Sequence, residues 1–170
     1  MGKGSSAPCP AFAECKIYRH ERTSTLSTDL NPQSLAETIN AKGFSHAAGF
    51  RIVAVEPGRA EVALARREDL VQFFDHFHGG VITALADHAA GIAVTSGLPV
   101  GRIRVTVEIK VNFLSPAAGT ELVARAKTLK MSGSIGVATV EVFSKDGGSE
   151  TLCAFATATM RALDLPAEFR

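Results

Sequence analysis

His78-Gly79-Gly80-Val81-Ile82-Thr83-Ala84-Leu85-Ala86-Asp87-His88-Ala89-Ala90-Gly91-Ile92-Ala93-Val94-Thr95-Ser96 decides the fold. The run holds no proline and is apolar over most of its length. It reads as one buried helix over 79–96, ended near Gly97 and Pro99. On a helical wheel Val81, Ile82, Leu85, Ala89, Ile92 and Ala93 share one side, which should face a sheet. Opposite lie Gly80, Thr83, Ala84, Asp87, Ala90, Gly91 and Val94. A solvated helix face carries Lys, Glu and Arg. This one carries small residues around a single carboxylate, so it is expected to be covered as well.

Downstream the period changes from 3.6 to 2. Residues 102–114 alternate Ile103, Val105, Val107, Ile109, Val111 and Phe113 with Arg102, Arg104, Thr106, Glu108, Lys110 and Asn112. Strand-like stretches follow at 120–130, 135–145 and 150–161, separated by Ser115-Pro116, Ser132-Gly133 and Asp146-Gly147-Gly148. Upstream, 50–56 and 60–66 flank Pro57-Gly58 as a hairpin, and 67–77 form a polar and aromatic loop. A short helix is expected over 32–42. Asn31 can cap it, Pro32 suits its first turn, Ser34-Leu35-Ala36-Glu37 has the capping-box pattern and Gly43 can stop it. Tight turns between neighbouring strands imply an antiparallel sheet. The order helix, two strands, long helix, four strands gives a two-layer α+β domain over 31–165, its sheet curling around the long helix. Residues 1–30 lack any period and read as a flexible arm.

The 170 residues suit one domain of this kind. The 18 basic and 17 acidic side chains leave a formal charge of +1, which argues against a dedicated nucleic-acid binder. An apolar share of 46% argues against a disordered chain. No apolar run is long enough for a membrane helix. Three cysteines, Cys9, Cys15 and Cys153, give no disulfide framework and point to a reducing, cytoplasmic setting. Gly2 and Ser6 fit a loose myristoylation pattern, better read as part of a flexible tail. There is no phosphate-cradling Gly-rich loop, so no nucleotide cofactor is implied.

Two features of the long helix carry chemistry. Asp87 sits in the middle of the small-residue face. Gly79 and Gly80 open the helix, leaving backbone N–H groups uncovered at its positive end, where a developing oxyanion would be stabilised. Eight residues separate Gly79 from Asp87, about 12 Å along the axis at ~1.5 Å per residue. One carbonyl group cannot touch both. If both act, they come from two chains packed with their helices antiparallel, and each site then lies between the subunits of a two-fold dimer.

The stretch from His78 to Asp87 resembles the active-site motif of hotdog-fold acyl-CoA thioesterases, most closely the phenylacetate-degradation (PaaI-like) branch. Val111-Asn112-Phe113-Leu114-Ser115-Pro116 resembles that family's long central strand and the turn after it. The likeness runs from about Gln33 to Met160. It implies a hotdog fold and hydrolysis of acyl-CoA to a carboxylic acid and free CoA, with CoA as part of the substrate and no separate cofactor. It also implies a homodimer, with dimers pairing into tetramers. By the same resemblance Asp87 acts as general base or nucleophile, the Gly79 N–H polarises the carbonyl, and His78 shapes the loop. Gln72 stands where relatives commonly carry Asn to hold the carbonyl or water, and Thr106 matches a hydroxyl that assists the carboxylate. Plain alternation puts Thr106 on the polar face, so it reaches the site only through a bulge or a dimer interface. Gly80 lies against the substrate, and Arg102, Arg104, Lys127 and Lys130 are candidates for the CoA phosphates.

The chemistry is self-consistent. A thiol of pKa ~8.5 leaves without a strong general acid, so one base and one oxyanion donor suffice. A Gly-x-Ser-x-Gly nucleophile turn is not found. Three rival readings remain at this stage. One is a hotdog hydratase on enoyl or hydroxyacyl thioesters, using His76, His78 or His88. Another is a binding module for acyl-CoA without turnover. The third is a metal site from Asp75, His76, His78 and His88.

Overall fold

In the computed structural model, residues 31–165 are described. The arm expected over 1–30, with Gly2, Ser6, Cys9 and Cys15, lies outside the described residues. The elements are helix α1 (Pro32–Asn40), helix α2 (Gly43–Ala48), strands β1 (Arg51–Glu56) and β2 (Arg59–Ala65), a 3-10 turn at Glu68–Leu70, and helix α3 (Gly79–Ser96). Strands β3 (Arg102–Phe113), β4 (Glu121–Ser132), β5 (Ile135–Asp146) and β6 (Ser149–Asp164) complete the chain.

Each element forms for a local reason. The Asn31 side chain accepts the Ser34 N–H at 2.9 Å and caps α1. The capping box expected from Ser34 and Glu37 does not form: the Ser34 hydroxyl donates back to the Asn31 carbonyl, and Glu37 accepts from Gln33 instead. Gly43 does not simply end a helix. It opens the short α2, which the sequence reading missed, and α2 stops at Gly49 with φ +83. Pro57-Gly58 makes the β1–β2 turn, Gly58 supplying φ +76 where a type II turn needs it.

All six strands form one antiparallel sheet in the order β1-β2-β4-β5-β6-β3. Helix α3 contacts every one of them, so the sheet wraps the helix as expected. The inner face of the sheet is rich in alanine, including Ala124, Ala126, Ala138, Ala156 and Ala158, which lets α3 lie close against it. Leu64, Leu85, Ile92, Leu122 and Met160 are fully buried between the layers. Truncating any one of them to Ala would cost about 2–5 kcal/mol.

Two expectations for α3 and β3 need correction. Ala90 and Val94, placed on the second helix face, are fully buried within the chain. Val94 packs towards β5, its Cγ1 only 3.0 Å from where a Cβ on Gly136 would stand. The second face therefore narrows to Gly80, Thr83, Ala84, Asp87 and Gly91. The strand likened to a central one, β3, is an edge of this chain's sheet, hydrogen-bonded to β6 alone. It is twelve residues long, with Val105 and Val107 exposed. Its alternation also breaks. Thr106 pairs with Met160 and Glu108 with Thr159, leaving Val107 as a bulge. Before the bulge Arg104 and Thr106 face α3. After it Ile109, Val111 and Phe113 do.

Candidate active site

Asp87 lies half-buried on the narrowed face of α3. The Thr106 hydroxyl donates to its Oδ1 at 2.8 Å. The bulge at Val107 makes this contact possible, because uninterrupted alternation would put Thr106 on the same face as Asn112 and opposite Phe113. A carboxylate fixed through one oxygen keeps the other free to act. No second donor to Asp87 is found among the described residues, so the Thr106 bond alone orients it.

At the start of α3 His78 is the N-cap. Its Nδ1 accepts the Gly80 N–H at 2.9 Å. The His78 carbonyl accepts from Val81 at 2.9 Å and from Ile82 at 3.2 Å. Gly80 N–H is thus committed to the cap and is not free to hold a substrate. The Gly79 N–H has no acceptor among the described residues. It is an uncapped amide at the positive end of an 18-residue helix, which is what an oxyanion donor requires.

Gly79 floors an open groove of about 400 Å³. Phe113, Leu114, Pro116, Gln72 and His76 are among the residues that line it. The segment carrying Gln72 is a tight reversal. Val71 bridges Phe77, the Gln72 N–H donates to the His76 carbonyl, and Asp75 takes φ +65. The Gln72 Oε1 accepts the Phe74 N–H at 2.7 Å, leaving its amide nitrogen available to the groove. Arg66 ties Asp75 from the other side. Phe73 and Phe74 are held at the exposed tip, 88% and 69% accessible.

The remaining candidates are distributed unevenly. Arg104 is buried and donates to the Ser134 carbonyl and towards the Met131 sulfur. Burial, and then the charge of Arg102, lowers its pKa from the ordinary guanidinium value. It anchors the β4–β5 turn and cannot reach a phosphate. Arg102 shares its strand face and pairs with Asp164 at 3.1 Å. Lys127 and Lys130 are exposed on the outer face of the sheet, away from α3. The structure does not bring them to Asp87 or Gly79.

The histidines do not converge. His88 Nδ1 lies 3.0 Å from the Ser45 hydroxyl, with the ring against Phe50. Burial pushes its pKa down to about 4. Among the described residues no three His, Cys, Asp or Glu side chains gather as a metal-binding group, so Asp75, His76, His78 and His88 stay apart. Cys153 is fully buried and its thiol is pushed up to about 11, so it is no nucleophile. Sequence reasoning gave no site role to Phe113 or Ser115, and gave His76 one only in the rival hydratase and metal readings; all three line the groove. The signal for them was the turn Ser115-Pro116, which brings the end of β3 back beside the start of α3.

The sequence profile of the thioesterase superfamily matches residues 74–151, which include α3 and the strands through β5. The 1,4-dihydroxy-2-naphthoyl-CoA hydrolase of Listeria monocytogenes is 32% identical over 111 residues, 65% of this chain and 89% of that protein. A thioesterase family protein from Silicibacter pomeroyi superposes with TM-score 0.75 at 31% identity, covering 78% of this chain and 98% of that one. A variant of the phenylacetic acid degradation protein PaaI from Thermus thermophilus gives TM-score 0.60 at 28% identity, covering 68% and 95%. No helix among the described residues is long and apolar enough to cross a membrane. The wrapped antiparallel sheet, the Gly-Gly helix start and these likenesses agree: the chain belongs to the thioesterase superfamily, with the hotdog fold, and is a thioester hydrolase.

Proposed function

We propose that the protein hydrolyses acyl-CoA thioesters in the cytoplasm, at two equivalent sites each built by two copies of the chain. One observation carries the reading. Thr106 orients a half-buried Asp87 in mid-helix, while an unpartnered Gly79 N–H stands at the helix start. Their separation of about 12 Å is too large for one carbonyl group. The exposed apolar edge of β3 supports the second copy. A long edge strand with free backbone groups and outward valines is normally paired or covered. Pairing β3 with its mate would make it central in the joint sheet and set Asp87 of one copy towards Gly79 of the other. Dimers pairing into tetramers would cover further surface.

The reaction then follows. The thioester carbonyl oxygen accepts from Gly79 N–H, and the Gln72 amide holds the carbonyl or the attacking water. Asp87 either takes a proton from that water or attacks the carbonyl carbon itself. The C–S bond breaks, the pair goes to sulfur, and the thiolate leaves without a strong acid. Water supplies the new oxygen of the carboxylic acid, directly or by opening the anhydride on Asp87. Of the four cations considered for the CoA phosphates, Lys127, Lys130 and Arg102 can serve.

Thiol release from a panel of acyl-CoAs, followed with a chromogenic thiol reagent, tests the reading. Asp87→Asn is nearly isosteric and should lower kcat by about 10²–10⁴-fold with the thermal midpoint held. Hydrolysis by that variant at the parent rate would refute the assignment. Binding of acyl-CoA by the parent with no release above background would mark a binding module instead.

A further inference from the structure

We propose that Phe113 is the residue by which the groove beside Gly79 selects its acyl group, favouring bulky apolar acyl groups over acetyl; this rests on the acyl-CoA reading above. The para end of the Phe113 ring points at the start of α3. A Cβ on Gly79 would stand 3.2 Å from its Cζ and 3.4 Å from Cε1. The ring is thus the side chain that a Cβ at Gly79 would meet first, yet 56% of the residue stays exposed. An aromatic ring held at that depth with more than half its surface open has a face still to cover.

The groove tells which end of the substrate covers it. Its lining contains no lysine or arginine, and Phe113, Leu114, Pro116, Phe77 and Ile82 form its apolar part beside Gln72, His76 and Ser115. CoA phosphates require cations, and those lie elsewhere. The acyl group is the apolar part that starts at the carbonyl carbon, one bond from the oxygen that Gly79 would bind. An acyl group longer than acetyl therefore has the Phe113 ring as a wall to extend along.

The strand register gives the second reason. Thr106 and Phe113 are seven positions apart, an odd spacing that puts two residues of a regular strand on opposite faces. The bulge at Val107 brings both to the α3 side. One backbone irregularity sets the partner of Asp87 and the wall beside Gly79 together.

The test compares kcat and KM for acetyl-, hexanoyl- and phenylacetyl-CoA in the parent, Phe113→Ala and Phe113→Leu. Phe113→Ala should raise KM for hexanoyl- and phenylacetyl-CoA by about tenfold and leave acetyl-CoA within about twofold, the scale expected for apolar pocket contacts. Phe113→Leu should restore hexanoyl-CoA more fully than phenylacetyl-CoA. Equal loss on all three substrates, or no change on any, overturns the inference while the hydrolase reading stands. No thiol release by the parent from any acyl-CoA overturns the hydrolase reading, and the inference with it.

Discussion

Acidification between pH 7 and pH 4.5 should destabilise the fold through His88. Its ring packs against Phe50, Nδ1 meets the Ser45 hydroxyl, and the buried Nε2 has no partner among the described residues. Burial lowers the pKa from 6.5 to about 4. The unfolded chain takes the proton near 6.5, and the folded chain refuses it until about 4. Between those values the unfolded state binds more protons, so stability is full above pH 6.5 and falls as pH drops. At ~1.4 kcal/mol per pH unit the whole window is worth about 3 kcal/mol. Most of that is gone by pH 4.5. With a urea dependence of about 2 kcal/mol per M, the unfolding midpoint should fall by about 1 M between pH 7 and 4.5. The measurement is urea unfolding at fixed protomer concentration, because association would shift the midpoint by mass action. Glu150, which Arg125 and then Lys145 hold down to about 2, loses its contribution only below about pH 4.5, outside this window. His88→Asn keeps a polar atom for Ser45 and cannot titrate here. If its midpoint drops between pH 7 and 5 as steeply as the parent's, His88 is not the acid-sensitive group and the argument fails. The same experiment sets the lowest pH at which a rate profile of the enzyme reports chemistry and not unfolding.

Thr106→Val removes the one bond that orients Asp87. A hydrogen bond to a charged group at a surface-accessible site should be worth about 1–2 kcal/mol, so kcat should fall by about 5–30-fold with KM little changed; an unaltered kcat would show that Asp87 needs no such support. Gly80→Ala would place a Cβ 3.0 Å from His78 Nδ1 and push the exposed imidazole off the cap. Loss of the cap costs about 1 kcal/mol, read as a thermal midpoint lowered by a few degrees, and a variant as stable as the parent would show that the cap contributes little. Gly91→Leu fills the narrow face of α3, where a first carbon meets only Met160 Cε at 4.0 Å within the chain. The single chain accommodates it but a packed mate would not, so sedimentation should show dissociation, and an unchanged assembly mass would place the interface elsewhere.

The two-layer architecture was legible because its signals are periodic and local. The apolar run over 79–96 has no breaker inside, and the helix spans Gly79–Ser96. Each turn glycine at 58, 133 and 147 takes the positive φ that ends a strand. Three features were not legible, for distinct physical reasons. Helix α2 has six residues, too few to display a period, and exists because Ser45 and Phe44 pack on His88 and Phe50. The edge position of β3 is a property of strand order, and a strand's own sequence records its faces but not its neighbours. Its likeness to a central strand rested on the motif Val111–Pro116, and its alternation put Val105, Val107, Ile109 and Val111 on one face, whereas Ile109 and Val111 turn towards α3 and Val105 and Val107 away from it.

The third feature is the bulge, and the site depends on it. Strict alternation put Thr106 with the polar residues and Phe113 with the apolar ones, so a reading of faces had to choose between them. The choice disappears when Val107 drops out of the ladder, because residues on either side exchange faces. A bulged valine in an otherwise regular strand has no sequence signature, since any residue can occupy the extra position. Its trace is indirect: the hydroxyl that should serve the carboxylate and the ring that touches the helix start differ by an odd number of positions. Helix α3 holds Gly79 at its start and Asp87 at its middle, and the irregular strand supplies each with a neighbour of opposite character, a donor for the carboxylate and a wall beside the helix start. Deleting Val107 leaves Thr106 and Phe113 six positions apart, on one face of a regular strand, so the Asp87–Thr106 bond and the Phe113–Gly79 contact should both survive without the bulge, whereas Thr106→Val or Phe113→Ala removes one and leaves the other.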